Sequence, residues 1–178
     1  HDIAELAMAV GAQTAVAIQN ARLFDQNQQA LTESETLYKA SAELNTAVTY
    51  NQILEVLQRH TIAGEGAIGT GLSLFDRPWG QDMEPEWMNV VAFLPEVASD
   101  APSAEEIKNF LSQPLSIASF PKVRELQPDK PIFIENFNDP GVSEPVRHFY
   151  QDLLVVNSAI FISLVVGGQW IGFININY

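Results

Sequence analysis

Residues Ser158–Asn177 read SAIFISLVVGGQWIGFININ. Two β-rich runs, Ser158–Val166 and Gln169–Asn177, flank the pair Gly167-Gly168. A two-residue hairpin turn needs positive φ, which glycine adopts at no steric cost. The spacing therefore predicts a tight antiparallel hairpin. In the second run Ile174 and Ile176 share one face while Asn175 and Asn177 share the other, so one side is expected to be core. Gly172 interrupts this strand where a bulkier residue would meet a covering helix.

Upstream of the hairpin, Ser143, Glu144 and Pro145 start a helix expected to run to about Leu154. Ile132–Ile134 reads as a short strand after Lys130-Pro131. Ser103-x-x-Glu106 caps a helix to about Ser112, with Ile107, Phe110 and Leu111 on one face. Gly71–Asp76 and Met88–Leu94 read as strands joined by a long loop rich in Pro, Gly and Asp. Thr49-Tyr-Asn-Gln52 is a capping box opening a helix from about Tyr50 to Ile62, which stops near Gly64 and Gly66. Helices, strands, helix, strand, helix and hairpin follow in that order. The expected class is α+β, an antiparallel sheet flanked by helices.

Residues 2 to about 48 read as one helix, rich in Ala, Gln, Glu and Leu. Val16, Leu23, Ala30, Leu37 and Leu44 recur every seventh residue, and Ala17, Phe24, Leu31 and Tyr38 form a second row one step along. That period belongs to coiled coils. The other half of the seam is polar, with Asn20, Asn27, Ser34 and Ser41 before Val48. The expected seam of a homodimer is Val16, Leu23, Asn27, Ala30, Leu37 and Leu44; the alternative is that the stripe packs on the chain's own sheet. About 45 residues at ~1.5 Å each make ~70 Å, against a radius of gyration near ~14 Å for the remaining residues. Thr32-x-x-Glu35 resembles a capping box and marks where the helix would break. The expected organisation is residues 1–48 as a connector and 49–178 as a globular domain.

Nine Lys and Arg stand against 22 Asp and Glu, a net charge of -13. Neither nucleic acid nor an anionic membrane is an expected partner. The absence of cysteine removes disulfides, thiolate metal sites and cysteine nucleophiles, and is compatible with the cytoplasm. No apolar run is long enough to span a bilayer. The chain begins at His1, so it reads as a piece of a longer protein. No nucleophile elbow, phosphate loop or His-x-x-x-His pair is present, and the carboxylates lack Ca²⁺-loop spacing. No enzyme and no metal site are expected.

Three stretches resemble the GAF sensor domains. SLVVGGQWIG (Ser163–Gly172) is similar to their last two strands, LYKASAELNTAVTYNQILEVL (Leu37–Leu57) to their helical opening, and AMAVGAQTAVAIQNARLF (Ala7–Phe24) to the helix that closes one. The resemblance implies an earlier domain of this kind in the parent chain, its exit helix running on as a connector. It also implies that Tyr178 falls just before this domain's own closing helix. The implied role is a non-catalytic sensory and dimerisation module, beside neighbouring sensor and output domains of a histidine kinase or cyclic-dinucleotide enzyme. The alternative is a structural spacer whose pocket is filled by its own aromatics.

The hairpin is nearest the phytochrome version, where a Ser-Pro-x-His-x-x-Tyr run precedes it. Here Glu144–Tyr150 reads EPVRHFY: Pro145 and Tyr150 match, Arg147 occupies the histidine position and His148 falls one residue late. The Asp-Ile-Pro motif becomes Ser119-Phe120-Pro121. A covalent bilin is excluded by the lack of cysteine, and a free bilin is not expected. Haem would need an axial histidine in the pocket, whereas His60 and His148 read as helix-surface residues. The ligand is otherwise unknown. The resemblance puts a pocket between the sheet and the middle segment, with Phe93, Phe110, Phe120, Phe133, Arg147, Phe149 and Tyr150 as candidate lining. Arg147 has the geometry to fork onto a phosphate or carboxylate, or to pair with Glu144. The aromatics read equally as core.

Overall fold

A computed structural model describes residues 2–61, 66–80, 83–94, 104–120, 123, 125, 127–139 and 142–178. The chain divides into two units, residues 1–45 and 46–178.

The first unit is a single helix, α1 (Asp2–Leu44). It runs unbroken through Thr32 and Glu35. Thr32 Oγ1 donates to Gln28 O at 3.0 Å and Thr36 Oγ1 to Thr32 O at 2.9 Å, so these hydroxyls bond back along the helix instead of capping a new one. The helix ends at Leu44, before the Val48 expected from the sequence. Val16, Leu23, Phe24, Leu31, Leu37 and Tyr38 are all exposed.

The second unit opens with α2 (Tyr50–His60), whose capping box forms as expected: Gln52 N donates to Thr49 Oγ1, and Thr49 N to Gln52 Oε1. The element order is then β1 (Gly69–Trp79), β2 (Trp87–Leu94), α3 (Ala104–Ser112), β3 (Leu115–Ser116), a 3₁₀ turn at Ile117–Ser119, β4 (Ile132–Ile134), α4 (Glu144–Arg147), β5 (Ala159–Val166) and β6 (Gln169–Asn177). One antiparallel sheet runs in the order β3-β2-β1-β6-β5-β4. β1 is longer than the predicted strand, and β3 is an addition. The predicted helix end at Ile62–Gly64, the Ser103 cap and Pro121 lie outside the described residues.

Gly167 and Gly168 have φ of +58° and +78°, the positive pair that the hairpin requires. β6, however, does not have one open side. Leu54 of α2 leads a cluster with Leu72, Ala92, Ile174 and Ile176 on one face. On the other, Phe173 joins a larger core with Phe75, Met88, Ile107, Phe149, Tyr150 and Trp170. Asn175 and Asn177 face that larger core and are buried. The alternation was correctly read, but both of its faces are covered.

The role expected of Gly172 also changes. A Cβ there would lie 2.1 Å from Ser73 O and 3.0 Å from Leu74 Cα. The obstacle is the neighbouring strand β1, not a covering helix. Both ladders of β6 shift register nearby, and Trp170 Nε1 donates to Gly172 O at 2.6 Å across the bend. Toward the far edge of the sheet, Phe133 pairs with Ile160 and Ile162 with Ile174, so all four share the α2-side face. Phe133 and Ile162 are exposed there.

After α4 the helix continues as a π-helical segment, His148–Leu153. Leu154 N donates to Phe149 O and Val156 N to Tyr150 O. The segment ends on Val155 at φ 56°, a left-handed conformation that a β-branched residue adopts only under strain. Val155 is exposed, so its side chain contributes little packing.

Two substitutions test this account by urea denaturation. Gly172→Ala should destabilise by roughly 1–3 kcal/mol or more, because the backbone of β1 cannot yield as a side chain would. Val155→Gly should stabilise by about 0.5–1 kcal/mol, the left-handed strain relieved exceeding the chain entropy lost.

Candidate functional site

The larger core encloses a cavity between the sheet and the layer formed by α3 and the π-helical segment. Ser73 and Phe173 are cross-strand partners on its floor, with Asn175 beside them. Met88, Val90 and Phe93 of β2 also line it, as do Phe110, Leu111, Leu115, Phe120, Phe149 and Tyr150. Phe110 and Phe149 stack at 3.9 Å between centroids, and Tyr150 stacks on Phe137 at 4.4 Å. The space left is about 10 Å³, enough for roughly one water.

Five of the seven candidate lining residues are thus brought together: Phe93, Phe110, Phe120, Phe149 and Tyr150. Phe133 is not among them. It sits on edge strand β4, exposed, on the opposite face of the sheet. Arg147 is also turned away. Its guanidinium donates to Val142 O at 3.2 Å, Phe137 O at 3.4 Å and Glu144 Oε2 at 3.0 Å, the last being the pairing expected from their spacing. These bonds tie Arg147 to the carbonyls of Phe137 and Val142 and leave no fork for an anion in the cavity.

Ser73 and Asn175 were not among the expected lining residues. Both are almost fully buried. Asn175 Nδ2 donates to Asn177 Oδ1 at 3.0 Å, and Asn177 Nδ2 is buried without a partner. Gly71 faces Asn175 across the β1–β6 ladder, and a Cβ there would stand 2.4 Å from Asn175 Oδ1. The Gly69-x-Gly71 and Asn175-x-Asn177 alternations are the sequence signal for this polar patch.

Above the cavity, His148 spans the two elements that roof it. Its Nδ1 lies 2.7 Å from Asp152 Oδ2 and its Nε2 3.2 Å from Glu106 Oε1 on α3. A neutral imidazole can donate through only one nitrogen, so two carboxylates favour the cation. The bond to Asp152 and then that to Glu106 raise its pKa above the ordinary 6.5, against desolvation, which lowers it. As expected, His148 is a helix-surface residue, pointing away from the pocket. Tyr150 is pushed well above the ordinary phenol range by burial, so it stays a neutral hydroxyl. Across the sheet edge, Asp76 Oδ1 accepts from Glu86 N and Trp87 N, and Oδ2 from Arg77 Nε, tying β1 to the start of β2. Among the described residues, no group of three or more His, Asp or Glu side chains is placed to hold a metal ion.

No protein-family model matches this sequence, and no curated protein does. Solved structures match its fold. The GAF domain of a phosphoenolpyruvate-protein phosphotransferase from Coxiella burnetii is 14% identical, over 83% of this chain and 78% of that one, with a TM-score of 0.53. The corresponding GAF domain from Acinetobacter is 12% identical over 82% and 76%, with a TM-score of 0.51. The chromophore-binding domain of the Stigmatella aurantiaca bacteriophytochrome is 16% identical over 83% of this chain and 51% of that one, with a TM-score of 0.52. The chain has the GAF fold.

The His148 bridge has a definite pH signature. Its folded-state pKa lies above the unfolded value, so its stabilisation is complete below about pH 6.5 and lost as pH rises through the raised value. Melting temperature should therefore fall as pH rises above about 6.5 in the wild type, and the His148→Gln variant should lack that part of the slope.

Proposed function

We propose that this chain is a non-catalytic sensory module of a larger cytoplasmic signalling protein, of the histidine kinase or cyclic-dinucleotide type. It dimerises through α1 and answers to a small ligand or to a neighbouring domain. The observation that carries the reading is the exposed row on α1. Leu23, Leu37 and the adjacent Phe24, Leu31 and Tyr38 recur at the coiled-coil period and are 49% to 77% exposed. A helix of 43 residues is ~65 Å long, and a stripe of that length left to water is costly unless another helix covers it.

Two such helices pair along Val16, Leu23, Asn27, Ala30, Leu37 and Leu44. Asn and Ser along the seam weaken it, which keeps alternative packings close in energy and lets a domain at either end bias them. Among the described residues no helix is long and apolar enough to cross a membrane, in keeping with this reading. A covalent bilin has no cysteine to bond to. One observation favours a different role: the closed aromatic cavity suits a spacer domain that needs no ligand.

Sedimentation equilibrium tests the pairing. At tens of micromolar, on the order of the range where a soft coiled coil associates, the wild type should be dimeric and the Leu23→Asp/Leu37→Asp variant monomeric. A monomeric wild type would remove the relay.

A further inference from the structure

Along α1, Val16, Leu23, Ala30, Leu37 and Leu44 alternate with Asn20, Asn27, Ser34 and Ser41, in steps of three and four residues. Extended toward the amino terminus, the same steps fall on Gln13, Ala9, Leu6 and Asp2. They take in a carboxylate and an alanine, and they miss Val10 and Ile3. Those two are 54% and 85% exposed, and Leu6 between them is 66% exposed. They lie one residue along from Ala9 and Asp2, a turn of about 100° around the helix. They begin the second apolar row, which continues through Ala17, Phe24, Leu31 and Tyr38. Toward the carboxyl end the balance reverses: the first row closes on Leu37 and Leu44, the second on Tyr38 and Asn45.

One path collects the better residues of both ends. Ile3, Leu6, Val10, Gln13, Val16, Asn20 and Leu23 are separated by three, four, three, three, four and three residues. The alternation breaks only at Gln13, where two steps of three follow each other. A three-residue step out of turn overwinds a left-handed coil locally. The only glycine of α1, Gly11, stands at this place. A Cβ on Gly11 would meet nothing within 4 Å, so no close packing within the chain requires glycine there. Glycine inside a helix is unfavourable and loosens the backbone. Thr14 Oγ1 also donates to Val10 O at 2.8 Å, a back-bond that favours bending. The change of row, the glycine and the back-bond coincide within Val10–Val16.

The period of the path identifies what covers it. A straight α-helix drifts about 20° per heptad from a seven-residue row, so from Val16 to Leu44 the drift is about 80°. A flat surface loses contact with such a row, whereas a helix coiled around it keeps contact throughout. The helix that carries the same repeat is a second copy of α1.

We infer that two copies of α1 pair in parallel from Ile3 to Leu44, and that their seam changes row between Val10 and Val16 with Gly11 as the compliant joint. This inference rests on the dimeric reading above and adds the point at which the pair can twist. A rotation imposed at Ile3 reaches Leu23 only through that joint.

Cysteine cross-linking of the whole chain tests it. The chain has no cysteine, so a single introduced one reports on its own row. In a parallel pair each seam residue meets its own copy at a distance a disulfide can span, and a residue turned away does not. The variants Ala9→Cys, Val10→Cys, Gln29→Cys and Ala30→Cys are oxidised mildly at roughly tens of micromolar, and the interchain bond is followed by non-reducing electrophoresis. Val10→Cys and Ala30→Cys should cross-link, and Ala9→Cys and Gln29→Cys should do so about tenfold more slowly or not at all. Adding Gly11→Ala to Val10→Cys should slow its bond about threefold, because the stiffer helix resists the overwinding. Linking of Ala9→Cys as fast as Val10→Cys or faster, or linking of Ala30→Cys alone, overturns the change of row and leaves the dimer standing. An undiminished rate with Gly11→Ala removes the joint. No cross-link at any position, Ala30→Cys included, removes the dimeric reading itself.

Discussion

Everything in the globular unit depends on the central pair β1 and β6 being covered on both faces. This pair's inner stretch is shielded from water, so its residues are apolar, paired or absent as side chains, with Asn177 Nδ2 the exception among the described residues. Leu72, Ile174 and Ile176 meet the first condition beneath α2. Thr70 meets the second by accepting from Gln58 Nε2 at 3.0 Å. Gly172 meets the third, where β1 comes too close for any Cβ. The aromatic layer over the other face then rests on a floor whose position the two strands fix.

This constraint explains both what could be read in the sequence and what could not. The hairpin was legible because glycine at positive φ is a local necessity. The capping box at Thr49 was legible for the same reason, since its hydrogen bonds close within four residues. The exact covering of β6 was not legible. Alternation of Ile with Asn normally marks a strand with one wet face, and only the packing of α3 and the π-helical segment buries the Asn side. Gly172 was assigned to the right strand but the wrong neighbour, because cross-strand distance depends on a bulge that no local signal announces. The π-helical turn was equally hidden: Glu144–Leu154 has ordinary helix signals, and its wider turn is set by how Phe149 and Tyr150 pack.

The candidate site divides along similar lines. Aromatics were legible as lining because the segments that carry them return to one face of the sheet. Phe133 misled because a three-residue strand gives too short an alternation to tell its two faces apart. Arg147 misled because two of its partners are the backbone carbonyls of Phe137 and Val142, which leave no mark on side-chain spacing. Ser73 and Asn175 were missed because small polar residues in strands are read as solvent-facing by default. What the assembled site has is a roof of two separate elements joined by His148 and a stacked ring pair, over a floor of two hydrogen-bonded strands.

The open strip on the outer strands has a consequence for how this molecule behaves in bulk. Among the described residues, Phe133 of β4 and Ile162 of β5 are exposed, and β4 is an edge strand with one side unpaired. Such an edge invites accretion of further copies. At neutral pH the surplus of 13 negative charges keeps molecules at a distance. Mild acid neutralises carboxylates and removes that mutual repulsion, so the same greasy margin that is harmless in a neutral buffer becomes a nucleus for precipitation.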